Sequence, residues 1–412
     1  MHSGDEWVKR DAAVVWHGFT QMAAFSSNAP VMVERAEGRE LIDVDGRRYF
    51  DAISSLWVTT LGHRVPELDA AVVDQLGRVA HSTLLGNGNR VVVELCEALA
   101  GRVPVDGAHV LLASDGAAAV EQALKIAFQY WVNCGVAGRT RYLALGGAYH
   151  GDTVGSMSVG DDGFGVDLFD PLRFPVVRTP GYASADWAAA AVGAIEAHGP
   201  TLAAVVLEPL VQGAAGMRMA VAEDVRVVVE AAQRAGVLVI CDEVAVGFGR
   251  TGTLFASEQC GVRPDLLCLG KGITGGYLPL SATVASQRVF DAFLGDDLGP
   301  KTLYHGHSYG GNALAAAVAL RHLQLLDEWD VLANVRARSV ELASLLSGRP
   351  GARVCGLLGA FDAASGAEAR AVCRRAVERG VLLRSLGECV VLVPPLTTTA
   401  ADLDRVAAAL AP

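Results

Sequence analysis

The sequence predicts an α/β protein, a mainly parallel sheet wrapped by helices with a smaller α/β unit attached, and three observations carry that expectation. Short β-branched runs alternate with longer alanine-rich segments along most of the chain. Several of those runs are apolar at every position, as strands covered on both faces must be. The 412 residues, 51% hydrophobic and 19% charged, are enough to bury a large core and too apolar to remain disordered.

The strands are expected at His109–Ala113, Arg141–Leu145, Ala203–Leu207, Val237–Cys241, Leu266–Leu269 and Leu280–Ala285. Between them, Ala118–Val132 and Glu223–Ala235 have the length and spacing of helices. From about Asn312 a helix is expected through Ala313–Leu326, and the rest reads as a βαβ-like unit ending in VVLVPPL and a closing helix. No repeat, low-complexity tract or long linker interrupts the chain, so a domain boundary between Gly310 and Val335 is expected to lie inside helix.

Composition excludes several classes of function. Lysine and arginine number 34 against 45 acidic residues, a net charge of −11 that does not suit a phosphate-backbone ligand, so no nucleic-acid partner is expected. The eight cysteines are scattered and none is spaced C-x-x-C, which points to reduced thiols in a cytoplasmic enzyme rather than a disulfide framework or zinc site. The start MHSGDEWVKRDAAVVWHGF lacks an apolar signal core, and the most apolar stretch, Trp187 to Met219, is broken by Glu196, His198, Pro200 and Glu208. No membrane span is expected, because one needs about 20 uninterrupted apolar residues.

Lysine scarcity directs attention to the chemistry. The four lysines are Lys9, Lys125, Lys271 and Lys301, and the first, second and fourth lie where a solvated lysine is ordinary. Lys271 instead follows the apolar run DLLCLG and precedes GITGGY, at the C-terminal end of a buried strand with glycines that let a ligand approach. The run VLVICDE places Asp242 and Glu243 at the end of another apolar strand, where a carboxylate without a partner is costly. HVLLAS running into DGAAAVEQALKIAFQYW opens a helix whose first amides, near Gly116 and Ala117, suit a phosphate. Tyr149 and His150 in LGGAYHGDT follow a further strand, where an aromatic face could cover a flat ring. A lysine amine, a carboxylate for a ring nitrogen and a phosphate cradle together suit pyridoxal 5'-phosphate, with Lys271 bonded to it and Asp242 on its pyridine nitrogen.

With these residues in view, the chain resembles the class III pyridoxal-phosphate aminotransferases over nearly its whole length. The matching tracts run from WHGFTQM through SSLW, GHRVPELDAAV, HSTLLG, AFQYW, YHGDTVGSMSV, EPLVQGAAGM, DEVAVGFGRTG, LCLGKGITGGYLPLSAT and HGHSYGGN to LLRSLG and VPPL. The resemblance implies a fold type I transferase: residues 1–60 as N-terminal arm and part of the small domain, 61–310 as the large cofactor-binding domain, and 311–412 as the C-terminal small domain. It implies Lys271 and Asp242 as catalytic residues, with Gly116, Ala117, Tyr149 and Ser308 also on the cofactor, Ser308 reaching in from the partner of a homodimer. Phe19, Trp57 and Tyr149 are then walls of the substrate site, and Arg384 offers its bidentate fork to an acceptor carboxylate. Phe19, Gly18, Ala117 and Ser385 stand where the family commonly has tyrosine, proline, serine and proline.

The implied reaction moves an amino group from a small-molecule donor to a keto acid, with 8-amino-7-oxononanoate, the intermediate of biotin synthesis, as acceptor and S-adenosylmethionine or lysine as donor. Another ω-amine or diamine aminotransferase of the same family is the alternative. Readings from other classes are weaker. GFGRTG, Gly247 to Gly252, fits G-x-G-x-x-G but lacks the helix of a dinucleotide fingerprint, which leaves Arg250 structural or a substrate-side cation. His305 and His307 have no acidic or cysteine neighbour to complete a metal site, and no metal is expected. A regulator without turnover would need an appended module that no segment supplies.

Overall fold

The computed structural model describes residues 3–161 and 165–411. Its centre is a seven-stranded sheet whose strands we label in chain order: β1 (His109–Ala113), β2 (Arg141–Leu145), β3 (Val177–Thr179), β4 (Leu202–Leu207), β5 (Leu238–Asp242), β6 (Leu266–Leu269) and β7 (Ser281–Ala285). Across the sheet they lie in the order β1-β7-β6-β5-β4-β2-β3. The pairs from β6 to β3 are parallel, and only β7 runs against its neighbours β6 and β1.

The runs read as continuously apolar because both faces of the sheet are covered. Leu143, Leu145, Val205, Leu207, Val239, Cys241, Leu267 and Leu269 enter one buried cluster. Their neighbours Tyr142, Ala144, Ala204, Val206, Leu238, Ile240, Leu266 and Cys268 enter a second on the other face, against α1 (Gly116–Asn133). With β1, β2, β4, β5 and β6 pointing the same way, the residues just past Ala113, Leu145, Leu207, Cys241 and Leu269 meet at one edge, which is where ligands bind in open α/β sheets.

Two four-stranded sheets, with a two-stranded one that pairs Val211–Gln212 with Arg218–Met219, complete the fold. One joins Val33–Glu37, Glu40–Asp43 and Arg48–Asp51 to Val381–Leu382, so both ends of the chain share it. The other is built from Arg353–Cys355, Leu358–Asp362, Cys389–Leu392 and Arg384–Leu386. The helix from Ala313, expected through Leu326, runs to Glu328, and a second helix, Val331–Leu346, starts after Asp330 turns left-handed at φ 46°. The stretch Gly310 to Val335 is therefore interrupted, and not continuous helix.

All eight cysteines are unpaired, and no helix among the described residues is long and apolar enough to cross a membrane.

Candidate active site

Trp57, Gly116, Ala117, Tyr149, Asp242 and Lys271 line one cavity of about 400 Å³ at the C-terminal edge of the sheet, together with His150, Glu208, Ala214 and Val244. Six of the residues singled out in the sequence thus converge although they span more than 200 positions.

Each is held by its local structure. Asp242 ends β5 and is buried; its Oδ1 accepts the Val244 amide at 3.0 Å and its Oδ2 lies 2.7 Å from His150 Nδ1. The buried partner of this acid is therefore His150. Burial opposes charge on His150, but the hydrogen bond and charge of Asp242 outweigh it and raise the imidazole's proton affinity. Lys271 follows β6 through Gly270 and adopts φ 40°, a left-handed conformation that side chains disfavour. Burial lowers its pKa, against the pull of Asp242 and Glu208. Its Nζ sits 5.4 Å from the centroid of the Trp57 ring.

Trp57 closes a tight segment in which Ser54, Ser55 and Trp57 are all left-handed, at φ 52°, 58° and 64°. The buried Asp51 carboxylate holds that segment by accepting the Ser55 amide at 2.8 and 3.0 Å and pairing with His63 Nε2 at 2.9 Å. At the mouth of α1, Asp115 caps the helix by accepting the Ala118 amide at 2.9 Å. A Cβ on Gly116 would come within 2.6 Å of Val244 Cγ1, so glycine is what lets the backbone lie this close. Tyr149 donates its hydroxyl to Asp152 at 2.8 Å, and burial and that carboxylate raise its pKa.

The donor set fits pyridoxal phosphate. Backbone amides at a helix start suit a phosphate, a buried carboxylate suits a ring nitrogen, and an amine and two aromatics line the same cavity.

Three expected residues lie outside this lining. Phe19 is exposed and left-handed at φ 53°, in the N-terminal segment. Ser308 is exposed, and its carbonyl accepts His81 Nε2 at 2.8 Å. Arg384 is exposed in the strand Arg384–Leu386, its guanidinium without an ion pair or hydrogen bond among the described residues. Arg250 proves structural: it is buried, donates to the carbonyls of Pro394 and Thr59, and has its pKa lowered to about 9 by burial. His305 Nδ1 lies 3.2 Å from Lys125 Nζ, and His307 Nε2 lies 3.0 Å from Ser114 Oγ.

Two lining residues had no role assigned from the sequence. His150 was noted beside Tyr149 only, and Glu208 was noted only as breaking an apolar stretch. Glu208 had the signal that found Asp242, a carboxylate ending an apolar strand. Its pKa is pushed up to about 7 by burial and by Asp242, against the opposing pull of His150 and of two backbone amides.

A family model described as aminotransferase class-III matches residues 21–411. The chain is 44% identical to the adenosylmethionine-8-amino-7-oxononanoate aminotransferase of Nitratidesulfovibrio vulgaris, over 96% of this chain and 79% of that one. It is 38% identical to the protein of the same name from Geobacter sulfurreducens, over 97% and 94%. Among solved structures it is similar to the adenosylmethionine-8-amino-7-oxononanoate aminotransferase of Methanocaldococcus jannaschii, with a TM-score of 0.95, 34% identity and coverage of 99% and 98%. An amine transaminase from an uncultivated Pseudomonas species, solved in its PLP-bound form, aligns with a TM-score of 0.89 at 32% identity over 96% and 97%.

Proposed function

Because the chain belongs to the class-III aminotransferases, we propose that it moves an amino group from S-adenosylmethionine to 8-amino-7-oxononanoate, giving the 7,8-diaminononanoate of biotin synthesis. The observation that carries this reading is 44% and 38% identity over nearly the whole chain with relatives bearing that name, in a chain whose cavity is lined by both Lys271 and Asp242. The relatives' names favour S-adenosylmethionine over lysine as donor.

Pyridoxal phosphate, when bound, supplies an electron sink that makes the hydrogen beside an attached amine acidic. Around it, this chain's residues divide the work. The Gly116 and Ala117 amides hold the phosphate at the positive end of α1. Asp242, hydrogen-bonded to His150, would pair with the pyridine nitrogen. Lys271 would anchor the cofactor and carry a proton within the cavity; burial suits it to that work by lowering its proton affinity. Tyr149 covers the ring, Trp57 and Phe19 wall the substrate, and Arg384 takes the acceptor's carboxylate.

The protein acts as a homodimer in which Ser308 serves the partner's phosphate site. Support comes from Ser308 lying outside its own cavity in a segment whose Tyr304 and Tyr309 are 64% and 65% exposed. Unpaired cysteines suit the reducing cytoplasm.

The test is the visible spectrum of the cofactor-loaded protein with S-adenosylmethionine or lysine added separately and no acceptor present. Loss of the lysine-bound cofactor band with S-adenosylmethionine, and its return with 8-amino-7-oxononanoate, is expected. A band moved by lysine alone would reassign the donor, and one moved by neither would overturn the proposed substrates.

A further inference from the structure

We propose that Glu208 is a positioning residue whose one buried carboxylate ties the segment that carries Tyr149 to the segment on which the Trp57 ring packs. It leaves β4 at its C-terminal end and is 4% exposed. Its Oε1 accepts the Tyr149 amide at 3.1 Å, and its Oε2 accepts the Gly213 amide at 3.2 Å. Tyr149 is one wall. Gly213 is the seat of the other, because a Cβ there would stand 3.0 Å from Trp57 Cζ3.

The same two segments are joined again farther from Lys271. Gln212 donates its side-chain amide to the Gly146 carbonyl at 2.9 Å and accepts the Tyr182 amide at 3.2 Å. Tyr182 in turn donates its hydroxyl to the backbone carbonyl of Glu208 at 2.5 Å. Gln212 thus closes the outer end of the junction, and Glu208 closes the end that faces the cavity. A neutral residue could fill the space of Glu208, but two amide donors converging on one side chain need two acceptor oxygens, and a carboxylate supplies both. Losing them takes the Glu208 acceptor from the Tyr149 and Gly213 amides and frees the two segments to move against each other.

This inference rests on the reading of Tyr149 and Trp57 as walls of the cofactor and substrate site, but its test does not need the reaction. Hydrogen exchange of the cofactor-free protein is followed by mass spectrometry in wild type, Glu208→Gln and Glu208→Ala. In Glu208→Ala, peptides covering 146–152 and 210–216 should exchange about tenfold faster, while those from β5 and β6 stay unchanged. Glu208→Gln retains one acceptor oxygen and should loosen one of the two segments. In the loaded protein, the KM for the acceptor should rise more than kcat falls. Unchanged exchange in both variants, or an equal rise across the whole sheet, would overturn the proposal. Failure of the wild-type protein to develop a visible band with pyridoxal phosphate would instead overturn the functional reading, and that is read from the spectrum alone.

Discussion

His150 Nδ1 lies 2.7 Å from Asp242 Oδ2 with both side chains buried, so the acid that lines the cavity has an imidazole as its hydrogen-bond partner. A carboxylate only accepts, so Nδ1 carries the hydrogen. Removing the ring leaves a buried charge without its partner, which costs about 3 kcal/mol. The proton affinity of folded His150 is raised, so the charged pair adds stability below the imidazole's ordinary pKa, and that part is lost as pH rises through the folded value. Urea unfolding of cofactor-free wild type and His150→Ala should show a larger gap at pH 5.5 than at 8.5. A gap that grows with pH would mean that the folded imidazole is neutral. Asp242→Asn should keep the fold and slow turnover about a hundredfold or more.

Lys271 combines a chemical demand with a conformational one. Its φ of 40° suits glycine, yet the amine cannot be dispensed with. Lys271→Ala and Lys271→Gly should both lose turnover by about a thousandfold or more, along with the visible band of the bound cofactor. Without cofactor, the glycine variant should be the more stable of the two by about 1 kcal/mol, since alanine keeps the left-handed strain. Equal unfolding midpoints would show that the segment relaxes once the lysine is gone.

Gly116 and Val244 should behave as a coupled pair. Gly116→Ala places a methyl 2.6 Å from a stiff valine branch, so the helix start or Val244 must shift. Titration of the cofactor-free protein should show pyridoxal phosphate bound about tenfold more weakly. Adding Val244→Ala should restore much of that affinity, and no restoration would show that the methyl obstructs the ligand rather than Val244.

Glu243 points away from its neighbour Asp242 and accepts the amides of Ala256 and Ser257 at 2.6 and 2.8 Å. Burial pushes its pKa up to about 7 in spite of these bonds. The folded state therefore holds a proton between the ordinary carboxylate value and about pH 7 that the unfolded state has released. Stability must fall as pH rises through that window, by on the order of 3 kcal/mol for this group. Denaturation of the cofactor-free protein between pH 5 and 8 should show the decline, and Glu243→Gln should flatten it. A slope unchanged in the variant would place the titration elsewhere, for example at Glu208.

The parts of the molecule set by short-range pattern were readable in the sequence. Strands β1, β2 and β6 fall on their expected residues, because runs such as LLCL must be buried on both faces. Lys271, Asp242 and Gly116 were found because each ends or follows such a run. What escaped depends on contacts between distant segments. The loop after β2 brings His150 to the end of β5, 92 positions away, and no local pattern encodes that meeting. The helix Val331–Leu346 also escaped, because the left-handed turn before it falls on Asp330 and not on a glycine.

Arg384 has an exposed guanidinium with no ion pair or hydrogen bond among the described residues, as a group reserved for a substrate carboxylate would have. The penalty for removing it should depend on the acceptor. Arg384→Ala should raise KM for 8-amino-7-oxononanoate roughly 10- to 100-fold, the worth of a charge-assisted pair, and leave a simple aldehyde acceptor unaffected. Arg384→Lys should fall between, since an ammonium keeps the charge but not the bidentate fork. The half-reaction with S-adenosylmethionine can be followed separately from the acceptor half. If Arg384→Ala slows both acceptors equally, the arginine supports the fold around Arg384–Leu386 rather than gripping the carboxylate.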